Sequence, residues 1–214
     1  MNEMTGKKGR VTIGIPTRNR CDLVVRSVRS ALAQTYDDIE VVVSDNASTD
    51  DTARQVDEIG DLRVRLLRQQ ENLGMIGNFN ACLESASGEF FLMLSDDDLL
   101  EPEAIERLTE PFHRPPAGLD RGSIGLSWCP CTVVDASNAN LWQTDGGPMV
   151  EPSLSLVTGL FDGTRGPRFC SILLRTGDAR AVGGYKESHG VICDVGNWTN
   201  VAVRYEYAVC ASRP

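Results

Sequence analysis

Three consecutive carboxylates, Asp96, Asp97 and Asp98, follow the apolar run Phe90-Phe91-Leu92-Met93-Leu94 and Ser95. Adjacent like charges about 5 Å apart cost roughly 1–3 kcal/mol per pair, depending on the local dielectric. A fold does not need that cost. A divalent cation removes it, and a hard cation prefers oxygen ligands. Asp96 and Asp98 are two residues apart, so in extended chain both point to the same side. An isolated triple Asp reads as a solvated turn, with Asp98 near a helix start. The apolar strand before this one, and its place in the chain, argue instead for a site that handles charge. A fourth carboxylate, Asp194, lies between Gly183-Gly184-Tyr185 and the apolar stripe Val195, Trp198, Val201 and Ala202. A helix N-terminus there would favour its ionised form, as a general base requires. The competing reading is a helix cap.

The chain has 214 residues, enough for one domain with a real core or two small ones. Its 21 Lys and Arg against 30 Asp and Glu give a net charge of −9. That balance argues against nucleic acid as a partner, because phosphate backbones are bound through clustered positive charge. It is compatible with one small anionic ligand in a local site. The 7 cysteines are scattered and odd in number, and reduced cytoplasmic thiols are the expectation. Only Cys129-Pro130-Cys131 is close-spaced, and it lacks a partner cluster for zinc. With His113 and His189 alone, His-rich metal chemistry and a Ser-His-Asp triad are poorly supported. No run reaches the length of a transmembrane helix, and Met1–Arg10 lacks the apolar core of a signal peptide. Trp128, Trp142 and Trp198 read as core or pocket wall, with stacking on an acceptor as the alternative.

Alternating strands and helices must position these groups. Val11–Ile15 reads as a strand stopped by Pro16, followed by the polar loop Thr17–Arg20. A helix follows with Val24, Val28, Ala31 and Leu32 on one face. Ile39–Ser44 is a second strand. Ser48 is expected to cap the next helix, which carries Ala53, Val56 and Ile59. Leu62, Val64 and Leu66 alternate as a third strand. Asn72–Asn80 leads into a helix at Ala81, Cys82 and Leu83, ended by Gly88. The strand before the carboxylates is the fourth. Such alternation predicts an α/β fold with a mostly parallel sheet and helices on both faces. Ligands bind such sheets beyond the carboxyl ends of the strands, where Pro16–Arg20, Asp45–Asp51 and Asp96–Asp98 all fall.

The second half is expected to hold Pro102 in the first turn of a helix, a loop from Pro111 to Ser123, and a strand over Ile124–Trp128 that ends at Pro130. A turn at Asp135–Asn138 returns as a hairpin at Leu141-Trp142. A helix spans Leu154–Leu160, and a strand spans Phe169–Leu174. Thr176 caps a short helix ending at Gly183-Gly184. A last helix follows Asp194, and a last strand covers Tyr205–Cys210. No linker or repeat interrupts the sequence. One domain over 1–214 is expected, with two functional halves at about 10–110 and about 111–214.

Four segments, in order and at consistent gaps, carry a family resemblance: VTIGIPTRNR (Val11–Arg20), EVVVSDNASTDDT (Glu40–Thr52), NLGMIGNFN (Asn72–Asn80) and GEFFLMLSDDD (Gly88–Asp98). The chain resembles family 2 glycosyltransferases of the GT-A fold, firmly to about Leu108. Beyond that the match is thinner, through SILLRTGDARAVGGY (Ser171–Tyr185) and Asp194. The resemblance implies a Rossmann-like three-layer sandwich and an inverting, metal-dependent transfer. A sugar would move from a nucleotide-diphosphate sugar to a hydroxyl of a saccharide, lipid-linked or small-molecule acceptor, in polysaccharide or glycoconjugate biosynthesis. It further implies Mn²⁺ or Mg²⁺, and a cytoplasmic protein with peripheral association at the inner face of the membrane.

Carried over by residue, Pro16, Thr17, Arg18 and Arg20 lie against the nucleotide. Asp45 meets the base or ribose, and Asn46, Asn72, Gly74 and Asn78 join the nucleotide-sugar site. Asp96 and Asp97 contact ribose or sugar. Asp98, with Asp96, holds the metal on the diphosphate, and Asp194 is the base. Three departures stand out. Asn78-Phe79-Asn80 occupies the place of an Ala-Arg-Asn-like triplet, a variant similar to transferases of deoxysugars in bacterial surface polysaccharides. Cys193-Asp194 replaces Glu-Asp. The sequence ends at Arg213-Pro214 where members continue, so a C-terminal metal ligand or membrane-associating segment is expected beyond it. The competing functions are a nucleotide-sugar-binding module without transfer and a nucleotidyltransferase. The latter is disfavoured because Ile15–Arg20 contains no glycine. A dinucleotide dehydrogenase is disfavoured because no G-x-G-x-x-G follows the first strand.

Overall fold

The computed structural model describes residues 9–135, 137, 139–144 and 146–211. Most of Met1–Arg10, Ala136 and Asn138 of the expected turn, and Arg213-Pro214 lie outside the described residues. The elements, in order, are β1 (Val11–Thr17), α1 (Cys21–Leu32), β2 (Ile39–Asp45), α2 (Thr52–Asp57), β3 (Val64–Arg68), α3 (Gly74–Ser85), β4 (Phe90–Met93) and α4 (Ala104–His113). Then come β5 (Ile124–Trp128), β6 (Thr132–Val134), β7 (Asn140–Gln143), β8 (Val150–Pro152), α5 (Ser153–Asp162), β9 (Ile172–Arg175), α6 (Thr176–Ala181), α7 (Cys193–Ala202) and β10 (Tyr207–Cys210).

Eight strands form one sheet in the order β3-β2-β1-β4-β9-β5-β10-β8, and β6 and β7 form a separate hairpin. The β1–β2, β2–β3, β1–β4 and β5–β10 pairs are parallel. The antiparallel β9 lies between β4 and β5, and β8 closes the edge antiparallel to β10. The apolar run of β4 is continuous because both faces of the sheet are covered. Phe90, Leu92 and Leu94 pack with Val24 and Val28 of α1 and Ile105, Leu108 and Phe112 of α4. Phe91 and Met93 pack on the opposite face with Cys82 and Leu83 of α3, Leu156 of α5 and Trp198 of α7. Trp128 and Trp198 are core residues, whereas Trp142 is exposed.

Several boundaries differ from expectation. Pro16 does not stop β1, which pairs on through Pro16↔Ser44 and Thr17↔Asp45. Strand alternation turns Pro16 toward β4, as Gly14 is. Gly14 O accepts the last bond on that side, from Leu94 N, so the missing N–H of Pro16 breaks no ladder bond. Ser48 does not cap α2. Its Oγ accepts from Asn19 N, and Asp50 Oδ1 accepts from Thr52 N instead. Leu62 is fully exposed and precedes β3. Helix α3 begins at Gly74 and stops at Ser85. Gly88 serves close packing rather than a cap, because a Cβ there would lie 2.7 Å from Arg10 O and Thr12 N.

Pro102 lies just before α4, and α4 runs through Pro111 to His113. Burial of Leu108, Pro111 and Phe112 outweighs the one helix bond that Pro111 cannot make. Phe169–Ser171 is a 3-10 turn, and only Ile172 onward is strand. Thr176 does not cap α6; its hydroxyl donates to Gly88 O at 2.7 Å.

Candidate active site

β1, β2 and β4 run parallel, so Thr17, Asp45 and Ser95–Asp98 leave the sheet at one edge. Because β1 continues past Pro16, Thr17 Oγ1 reaches across and donates to Asp96 Oδ2 at 2.8 Å. Arg20 Nη1 donates to Asp96 Oδ1 at 3.0 Å and to Asp97 Oδ2 at 2.9 Å. Burial raises the pKa of Asp96 against the opposing pull of Thr17 and Arg20. Asp97 and Arg18 are exposed.

Asp96 and Asp97 form a turn, with Asp98 N donating to Ser95 O at 3.2 Å. The extended-chain alternation expected to aim Asp96 and Asp98 to one side therefore does not apply. Asp96 is committed to Thr17 and Arg20. Ser27 Oγ holds the Asp98 carbonyl at 2.7 Å. The Asp98 carboxyl is pushed up by burial and by the Asp97 charge, and the Cys170 thiol partly offsets this as a hydrogen-bond donor.

The second loop forms a floor. Asp45 is buried and accepts from Ser48 N at 3.0 Å. Asn46 Nδ2 donates to Asn72 Oδ1 at 2.8 Å and Gly74 O at 3.2 Å, and its Oδ1 accepts from Leu73 N at 2.7 Å. Asn78 Oδ1 accepts from Ser44 Oγ at 2.6 Å, and its Nδ2 donates to Ser44 O at 3.0 Å. Gln69 Nε2 donates to Ser44 Oγ at 3.0 Å. Asn19 and Ala47 take left-handed backbone, with φ of 54° and 58°. Asn19 Oδ1 accepts from Thr49 N at 2.8 Å, tying the first loop to the second.

Asp194 lies inside the first turn of α7 rather than ahead of it. Its Oδ1 accepts from Val195 N at 2.8 Å. The helix terminus does not prevail over burial, which raises its pKa. Asp194 is close enough to Tyr185 for its charge to raise the phenol pKa further, after burial. Tyr185 in turn is clasped by α3: Asn80 Nδ2 donates to Tyr185 O and Tyr185 N donates to Asn80 Oδ1, both at 2.9 Å. The Phe79 ring lies 5.6 Å from Tyr185 and 5.0 Å from Phe169, the neighbour of Cys170. Phe169, Phe79 and Tyr185 thus form a row of packed rings; Cys170, beside Phe169, is hydrogen-bonded to Asp98, and Asp194 lies within charge range of Tyr185. Asn19, Ser44 and Asn80 lie within the motif segments without being singled out by them, and nothing in the sequence singles out Gln69, Phe169 or Cys170 here.

Among the described residues no three His, Cys, Asp or Glu side chains are grouped so as to hold a metal. A cation here would need ligand oxygens besides those of the protein. Asp98, half-buried and crowded by Asp96 and Asp97, fits the role of a single protein carboxylate in such a shared shell.

A TarS structure from S. aureus, residues 1–349 in complex with UDP-GlcNAc, superposes with a TM-score of 0.70 at 18% identity, over 96% of this chain and 59% of that one. The mannosyltransferase PcManGT from Pyrobaculum calidifontis, in complex with GDP-Man and Mn²⁺, gives 0.66 at 20% identity, over 95% and 55%. These likenesses establish the GT-A fold. Among curated proteins, the succinoglycan biosynthesis protein ExoO of Rhizobium meliloti (strain 1021) is 39% identical over 100 residues, covering 47% of this chain and 29% of that protein. The GalNAc(5)-diNAcBac-PP-undecaprenol beta-1,3-glucosyltransferase of Campylobacter jejuni is 36% identical over 104 residues, covering 47% and 34%. The chain thus spans about a third of the length of these relatives. Residues 12–127, more than half of the chain, match the family described as Glycosyl transferase family 2, and the chain belongs to that family.

Proposed function

We propose that the protein transfers a sugar, with inversion, from a nucleotide-diphosphate sugar to an acceptor hydroxyl. The observation that carries this reading is the gathering of Thr17, Arg20, Asp45 and the acidic turn Asp96–Asp98 at one edge of the parallel sheet. Asp45 and the Asn46–Asn72–Asn78 floor receive the nucleoside, and Thr17 and Arg20 hold Asp96 against the ribose or sugar. Asp98 holds Mn²⁺ or Mg²⁺ together with the diphosphate. When bound, the cation supplies Lewis-acid stabilisation to the leaving diphosphate. Asp194 accepts the proton of the acceptor hydroxyl as its oxygen attacks the anomeric carbon from the side opposite the diphosphate. The bond from that carbon to the diphosphate breaks, and the proton remains on Asp194. Burial makes Asp194 a stronger base than an exposed aspartate.

The acceptor class is a saccharide, lipid-linked or small-molecule hydroxyl, used in polysaccharide or glycoconjugate biosynthesis on the cytoplasmic face of a membrane. No helix among the described residues is long and apolar enough to cross one. The test is a thermal-shift panel of nucleoside diphosphates with and without Mn²⁺, followed by donor hydrolysis and transfer. Stabilisation by one diphosphate that needs Mn²⁺, together with turnover, supports the proposal. Binding without turnover, given a competent acceptor, would leave a nucleotide-sugar-binding module.

A further inference from the structure

Cys131 and Cys170 bring their sulfurs within 4.0 Å of each other. Cys131 lies beyond the end of β5, and Cys170 lies in the turn before β9. The chains remain paired beside them, with Cys129 N donating to Ser171 O at 3.0 Å. Both thiols are free and half-buried. Cys170 has the Asp98 carboxylate as well as the Cys131 sulfur within reach of its one proton. A short row, Cys131–Cys170–Asp98, therefore stands directly behind the acidic turn. The sequence offers zinc no partner cluster for Cys129-Pro130-Cys131, and the proposed transfer chemistry uses neither thiol.

We propose that Cys131 and Cys170 are a site of oxidative modification, which a peroxide converts to a disulfide that weakens metal-dependent nucleoside-diphosphate binding at Asp98. The effect on binding rests on the reading of Asp98 given above; the cross-link itself does not. Cys131 is the first to react. It shares a hydrogen bond with Cys170, which favours its thiolate, and it stands at the end of the row away from Asp98. The Cys131 sulfur attacks a peroxide oxygen, the O–O bond breaks, and one water leaves from hydrogen peroxide. The resulting sulfenic acid is attacked by the Cys170 sulfur. The S–O bond breaks, and the oxygen departs as a second water with the Cys170 proton. Two thiols lose two electrons and two protons, and one peroxide becomes two waters. The sulfurs close from 4.0 Å to about 2.05 Å, and Cys170 loses the only proton it can offer Asp98.

The experiment treats the full chain with hydrogen peroxide, maps cross-linked peptides without reduction, and titrates GDP and UDP with Mn²⁺ before oxidation, after it, and after dithiothreitol. A Cys131–Cys170 cross-link is expected, with affinity reduced by about tenfold, the scale of one charge-assisted hydrogen bond, and restored by dithiothreitol. Reduced Cys131→Ser should bind as the unmodified protein does and be unaffected by peroxide. Equal affinity before and after complete cross-linking overturns the proposal, as does a cross-link between other pairs such as Cys129 and Cys210. Failure of the reduced protein to bind either diphosphate with Mn²⁺ overturns the reading of Asp98, while the peptide map independently decides whether this pair is oxidised.

Discussion

Between residues 10 and 110, the buried polar side chains Thr17, Ser44, Asn46, Asn78 and Asp96 are bonded to groups on neighbouring elements. Between 111 and 211, Ser127, Trp128, Ser153, His189, Asn197 and Thr199 each keep a buried polar atom without a hydrogen bond inside the protein. Such an atom costs roughly 1–3 kcal/mol wherever no water reaches it. Of the large exposed apolar side chains among the described residues, Leu62, Leu73, Met75 and Leu99 belong to the first half, and nine more, including Trp142, Leu154, Phe161 and Val191, belong to the second. The first half is a parallel βαβ array whose described buried polar side chains find partners, which would preorganise the proposed site. The second half mixes strand directions and relies on the first for position, through the Asn80–Tyr185 clasp and three bonds from Arg180 Nη2 to the carbonyls of Leu83, Glu84 and Ala86.

If the halves divide the work in this way, Asp194→Asn should separate them most sharply. Asparagine still accepts from Val195 N, so folding and donor affinity should be unchanged while transfer falls by roughly 10²–10⁴. Near-normal turnover with a competent acceptor would move the assignment to Glu187, the exposed acid nearby. Asp98→Asn is the converse. In calorimetric titrations it should weaken Mn²⁺-dependent diphosphate binding by at least about tenfold and barely change binding in EDTA. Equal loss in both conditions would remove Asp98 as the metal anchor.

Asp45→Ala should weaken metal-free nucleoside monophosphate binding by about 1.5–3 kcal/mol. Unchanged affinity would place the nucleoside elsewhere. The smallest effect is on stability. Burial raises the folded-state pKa of Asp98 above its unfolded value. Its contribution is therefore fully present below the unfolded pKa and lost as pH rises through the folded one. Without ligand, Asp98→Asn should melt higher than the unmodified protein at neutral pH, with the gap closing as pH falls toward the ordinary aspartate range. A gap that is constant with pH would mean that the charge is not the cause.

The first half was largely legible because buried parallel strands and amphipathic helices leave periodic patterns. Phe90–Leu94 is one such pattern, and the Val24–Val28–Ala31 face is another. What failed there were local rules that tertiary pairing overrides: Pro16 inside β1, Ser48 bonded to Asn19 rather than to a helix, and the turn at Asp96-Asp97. Pro111 within α4 belongs to the same class, since the stripe through Leu108 and Phe112 dominates. The contacts behind the acidic turn were not legible. Cys170 is 72 positions from Asp98 in the sequence, and their meeting follows from the insertion of β9 beside β4, which no local pattern encodes.

Helix α3 turns one face to each half. Asn78 is bonded into the end of β2, and Asn80, two residues on, is bonded to Tyr185. At Gly184, where φ is 62°, an added Cβ would stand 2.5 Å from Asn80 Oδ1. The separation between the proposed nucleoside floor and the segment leading to Asp194 is therefore set by the width of a single helix. Gly184→Ala would act as a shim. It would press on Asn80, tilt α3 and be felt at Asn78. A lesion in the acceptor half would then appear as a change in nucleotide affinity, and the residues on either side of this helix are free to vary only as a set.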